Sequence, residues 1–177
     1  MIPQTDETPE FSRKVDLRQI TVAPLALAAT AEECRALASR FDLVSLDRLE
    51  ATVALEAEGG VVTATGRFAA SWVQSCAVSG EDLPVTVDQS LAFRFVPASD
   101  AHVPDEEIEL TDVDCDEIAY TGTSFDVGEA VAQSVALAID PFAAGPNADT
   151  TRQQAGLLGE AASGPFAALS GLNVRKN

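Results

Sequence analysis

The stretch from Phe125 to Pro141, FDVGEAVAQSVALAIDP, constrains the fold more than any other part of the chain. Val127, Ala130, Val131, Ala132, Val135, Ala136, Leu137, Ala138 and Ile139 are apolar, and only Gln133 and Ser134 interrupt them in the middle. A helix that is apolar on nearly every side has to be covered by other elements. Its limits are local. Asp126 is placed to cap the first turn, and Glu129, three residues on, is placed to reach back in a capping box. Glu129 also suits the positive end of the helix dipole. Pro141 disfavours helical geometry at Asp140 and ends the helix there.

The rest of the chain supplies the cover. Met1–Glu10 reads as a disordered start, and Phe11–Val22 as a strand with Val15, Leu17 and Ile20 inward. Thr30-Ala-Glu-Glu33 is a capping box. Cys34, Leu37, Ala38 and Phe41 follow at i, i+3, i+4, i+7, so Cys34 belongs to the core face of an amphipathic helix. Leu49, Ala51, Val53 and Leu55 alternate with Glu50, Thr52 and Glu56, the pattern of a half-buried strand. Gly59-Gly60 turns the chain into a long return strand, Val61 to about Val78, with Gly66 marking a bulge or bend and Trp72 a core anchor. A second turn, Ser79–Pro84, leads to the alternating Val85, Val87, Leu91, Phe93 and Phe95. Arg67 and Arg94 are expected to pair with carboxylates on the wet face.

From Asp100 to Glu117 the chain is acidic, with short strands expected at Ile108–Val113 and Glu117–Tyr120. Asn147–Ser163 has the composition of a weakly ordered linker. Pro165–Leu172 reads as a short helix with Phe166, Leu169 and Leu172 apolar.

A formal charge of −17, from 11 basic and 28 acidic residues, argues against a surface devoted to phosphate, because phosphate neutralisation supplies most nucleic-acid affinity. The cysteines, Cys34, Cys76 and Cys115, are an odd set that cannot all pair, which reads as reduced thiols in a reducing compartment. The first residues lack a signal-peptide pattern, and no uncharged apolar run approaches membrane-spanning length. A soluble, cytoplasmic protein is the expectation.

Motifs for chemistry are weak. His102 is the single histidine and has no nucleophile elbow to serve. Asp112, Asp114 and Asp116 copy the opening ligands of an EF-hand loop, but Glu117 stands where glycine is required and Thr123 where a bidentate glutamate is required. Ser79 occupies the second thiolate position of a C-x-x-C that starts at Cys76. Phosphate-cradling glycine loops are absent from the sequence. The residues therefore give no catalytic, cofactor or metal site.

Several segments in order resemble the YceD family, named for large ribosomal RNA subunit accumulation. They are Cys76-Ala-Val-Ser-Gly-Glu-Asp-Leu-Pro-Val85, the strand ending Phe95-Val-Pro97, the Asp126–Pro141 stretch and the closing Gly164-Pro-Phe-Ala-Ala-Leu-Ser-Gly-Leu172. The last is similar to tails of alphaproteobacterial-type members. The resemblance covers roughly residues 11 to 174. Many members carry C-x-x-C at Cys76 and further cysteines near the C-terminus, and an arginine after the Asp-Pro pair. Here Cys76 stands alone and Ala144 takes the arginine's place. The resemblance implies a non-enzymatic role in ribosome biogenesis, supporting 23S ribosomal RNA accumulation.

The expected fold is α+β: an antiparallel β-sheet or partly open β-barrel of about six strands, two main helices and a short C-terminal helix. The expected organisation is a disordered 1–10, a single domain 11–146, a flexible linker 147–163 and a tail 164–177. A chain this acidic is expected to meet a basic ribosomal or assembly protein rather than RNA directly. The candidate partner-binding residues are Asp105, Glu106, Glu107, Pro141, Phe142, Phe166, Leu169 and Leu172. The alternative is a small-molecule binding module or a carboxylate-based enzyme.

Overall fold

The structure, a computed structural model, describes residues 9–98 and 117–156. The fold is α+β. Strands β1 (Lys14–Asp16), β2 (Leu25–Ala28), β3 (Ser45–Glu58), β4 (Val61–Ser75), β5 (Asp82–Pro97), β6 (Glu117–Tyr120) and β7 (Ser124–Asp126) accompany helices α1 (Ala31–Arg40), α2 (Val127–Ala138) and α3 (Ala148–Gln154). The chain forms two compact units, 1–74 with 84–139 and 75–83 with 140–177.

The first unit holds an open sheet of order β2-β3-β4-β5-β6 and a separate β1–β7 pair. β2 with β3, β3 with β4, and β1 with β7 are antiparallel, as short connections favour. β5 and β6 run parallel, so the sheet is mixed rather than purely antiparallel. The connection from Pro97 to Glu117 is long enough for the crossover a parallel pair requires.

One apolar cluster fills this unit. Phe11, Leu37, Leu49, Val53, Phe68, Trp72, Phe95, Val127, Val131 and Val135 are buried within it. Phe95 and Phe125 stack with ring centres 4.4 Å apart. Trp72 donates its indole N–H to the buried Gln74 at 2.8 Å, which satisfies the one polar atom that such an anchor carries inward. The apolar residues of α2 are buried or half-buried as its composition requires, except Leu137, which is 88% exposed.

The start of α2 is where the elements meet. Asp126 caps it through the Glu129 N–H at 3.1 Å. The same carboxylate accepts the Arg13 N–H at 2.7 Å and the Ser12 hydroxyl. Val127 in turn donates its N–H to the Arg13 carbonyl at 3.1 Å. Gly128 lies under this crossing: a Cβ there would sit 2.4 Å from the Phe11 carbonyl oxygen. The Glu129 side chain does not close a capping box. It takes the guanidinium of Arg40 in a two-pronged pair at 2.7 and 2.9 Å, a stronger partner than a backbone N–H. Arg13 is held the same way by Glu33, at 2.7 and 2.9 Å, while Glu33 also completes the Thr30 capping box of α1.

Other expectations give way to local geometry. The strand expected over Phe11–Val22 stops at Asp16, because Asp16 caps a 3-10 turn at Leu17–Gln19, and β2 then forms separately. Gly66 is no bulge. It pairs with Val53 in unbroken register, and a Cβ there would meet the Thr52 carbonyl oxygen at 2.0 Å. The register shift falls instead between Leu46 and Arg48. Asn147–Ser163 was expected to lack structure, yet its first part is α3. The strand at Ile108–Val113 and the helix at Pro165–Leu172 lie outside the described residues.

Two substitutions test this packing. Gly128→Ala forces the Phe11–Arg13 backbone off the helix and is expected to cost about 3 kcal/mol. Val131→Asp buries an unpaired charge and is expected to remove most of the domain's stability. Thermal melts read both, and an unchanged melting temperature for either contradicts this packing.

Candidate functional site

Of the expected partner-binding residues, Pro141 and Phe142 fall within the described residues, and Asp105, Glu106, Glu107, Phe166, Leu169 and Leu172 lie outside them, as do His102, Cys115 and the Asp112–Asp116 run. Pro141 and Phe142 belong to the second unit. Asp140 and Pro141 are the first two residues of a β-turn, positions that these residue types favour. The Asp140 carbonyl accepts the Ala143 N–H at 3.2 Å, and its carboxylate accepts the Phe142 N–H at 2.9 Å. The turn leaves the Phe142 ring 81% exposed.

The turn is anchored to the loop that begins at Cys76. Ala77 donates to the Ala143 carbonyl at 2.9 Å, and Cys76 donates to the Glu81 carbonyl at 2.8 Å. The Cys76 sulfur is the hub. It accepts backbone N–H groups from Val78 at 3.5 Å, Ser79 at 3.3 Å and Gly145 at 3.3 Å. Gly145 is closely covered: a Cβ there would meet the side-chain ends of Leu83 at 2.7 Å and Glu81 at 2.9 Å, which would have to move aside. Converging N–H groups of this kind form a nest for negative charge. The Gly145 N–H, and then Ser79, hold the Cys76 thiol down to about 6. Sequence reasoning treated Cys76 as the remnant of a metal motif. The missed signal was Gly145, whose backbone has to approach the sulfur.

The thiol is only 3% exposed, which shields a thiolate from large electrophiles. No group of three or more His, Cys, Asp or Glu suited to a metal occurs among the described residues. In the first unit, a cleft of about 520 Å³ opens beside α1, lined by Cys34, Arg35, Leu43, Val44, Leu46 and Asp47 among others. Burial, and then the charge of Glu33, push the Cys34 thiol up from its ordinary value. Cys34 is buried, as its place on the core face of α1 implied.

The surface electrostatics are set by ion pairs. Arg13 pairs with Glu33, Arg18 with Asp16, Arg40 with Glu10 and Glu129, Arg48 with Glu50, Arg67 with Asp88, Arg94 with Glu117, and Arg152 with Asp149. Arg67 and Arg94 are thus engaged as expected. Among the described residues only Lys14 and Arg35 are basic side chains outside such pairs. No described helix is long and apolar enough to cross a membrane. No protein-family model, no curated protein and no solved structure matches the chain.

The Cys76 nest sets a pH dependence. Its folded pKa lies below the unfolded value, so its stabilisation is complete above about pH 9 and fades as pH falls through about 6. The parent is expected to gain melting temperature from pH 6 to pH 9, and Cys76→Ala to flatten that gain. The thiolate absorbance lost in Cys76→Ala should titrate with a midpoint near 6. A midpoint above 8 contradicts the nest.

Proposed function

We propose that the protein is a non-enzymatic accessory factor of ribosome biogenesis. It supports accumulation of large-subunit (23S) ribosomal RNA in the cytoplasm by contacting a basic ribosomal or assembly protein. The observation that carries the basic-partner part of this reading is the charge. The chain bears −17, and its described arginines, Arg35 apart, are already neutralised by its own carboxylates. Such a surface repels a phosphate backbone and attracts a cationic protein. The ribosomal context comes from the YceD-like segments described above. Of these, the Asp126–Pro141 stretch forms the capped, buried helix and the turn that presents Phe142.

A second reading, a small-molecule binding module, has one observation in its favour, the cleft beside α1. Native mass spectrometry of the purified protein separates it from the first, because a retained metabolite belongs to the second reading alone.

The first reading is tested in a strain lacking the gene and with the tagged protein. Loss of the protein is expected to lower the ratio of 23S to 16S RNA. The tagged protein is expected to co-sediment with large-subunit precursors and to release from them as salt is raised. Normal 23S levels together with absence from every precursor fraction contradict the proposal.

A further inference from the structure

β3 is longer than the strand that covers its outer edge. β2 pairs with it only from Leu25 opposite Val53 to Ala28 opposite Glu50. The chain arrives at β2 through Pro24, which has no N–H to extend the ladder. Val22, just before, is fully exposed. Ala54, Leu55, Glu56, Ala57 and Glu58 therefore pair with β4 on one side, and among the described residues make no backbone hydrogen bond on the other. In an antiparallel ladder the backbone groups alternate sides, so part of this segment's N–H and C=O groups face outward, without a backbone partner among the described residues.

Free edges are usually guarded against pairing. Here the guard is a charge of one sign. Glu56 and Glu58 are exposed, lie on one face, and join no ion pair among the described residues. A second copy of this chain laid along the edge would set carboxylates against carboxylates. A strand carrying Lys or Arg at alternate positions meets them with opposite charge instead. On the other face Leu55 is half-buried against the core and offers an apolar contact to the residues between.

We propose that the free edge of β3 at Ala54–Glu58 receives an extended basic segment of a partner protein as an added strand, in line with β2. Backbone hydrogen bonds supply the docking, and Glu56 and Glu58 select the charge of the guest. The assignment rests on the basic-partner reading above and gives it a location.

The test uses the full chain and an amidated, fluorescein-labelled peptide alternating Lys and Val, followed by anisotropy and by amide shifts. Binding is expected to perturb and protect the amides of Ala54–Glu58, and to weaken with salt. The double variant Glu56→Lys, Glu58→Lys is expected to keep its melting temperature, since both side chains are exposed. It should lose at least tenfold in affinity for the Lys/Val peptide and gain affinity for a Glu/Val peptide. Shifts confined to other regions, or equal binding of the Lys/Val peptide by parent and double variant, overturn the proposal. The peptide decides the edge independently of ribosomal fractionation. Failure here leaves the functional reading standing, and a failed fractionation does not alter the peptide result.

Discussion

The Asp126 carboxylate is the point on which the first unit depends. It ends β7, caps α2, and binds both the Arg13 N–H and the Ser12 hydroxyl. One side chain thus satisfies the exposed donors of a helix start and fixes the segment that crosses over it. The neighbouring contacts lean on that crossing. Phe11 is buried because the segment runs there, and Gly128 exists to let it pass. Arg13, once placed, reaches Glu33 and so ties α1 to the same junction. Arg40 ties the other end of α1 to Glu129 and Glu10. The two helices share one buried cluster and are further joined by guanidinium–carboxylate forks, Arg40–Glu129 directly and Arg13–Glu33 through the N-terminal segment.

Much of this was legible in the residues. The apolar run of α2, the Asp126 cap, the Thr30 capping box and the Gly59-Gly60 turn are local signals, and each forms where its pattern lies. What escaped was set by distant partners. Glu129 has capping-box spacing, yet Arg40, far away in sequence, outcompetes the local backbone. Gly66 reads as a bulge or bend, but it, like Gly128, is a site of close backbone approach, which only the assembled sheet and crossing reveal. The β5–β6 pair is parallel, which its long connection permits but alternation, carrying no direction, does not reveal. At the candidate site, Pro141 could be read as the end of α2 and Phe142 as a candidate binding residue, while the turn that leaves Phe142 exposed shows only in the structure. The Cys76 nest could not, since the N–H of Gly145 arrives from the other half of that unit.

Charge links the structure to its proposed role. Among the described residues every arginine except Arg35 is held by a carboxylate, and the whole chain carries a formal charge of −17. Internal forks of this kind contribute modestly to stability where they are exposed and more where they are half-buried. Their larger consequence is what they leave over. Under the proposal, the acidic edge of β3 at Ala54–Glu58, unpaired on its outer side among the described residues, would discriminate by sign, disfavouring self-pairing and phosphate while admitting a cationic strand.

Native-state hydrogen exchange on the parent and on Asp126→Ala tests the central claim that this one carboxylate couples the N-terminal segment to α2. Removing it leaves the Arg13 N–H and the first turn of α2 without their acceptor, a loss on the order of 3 kcal/mol. The account predicts that the amides of Arg13 and Val131 lose protection together, each by roughly 100-fold. An Arg13 amide that exchanges freely while Val131 keeps the parent's protection would contradict it.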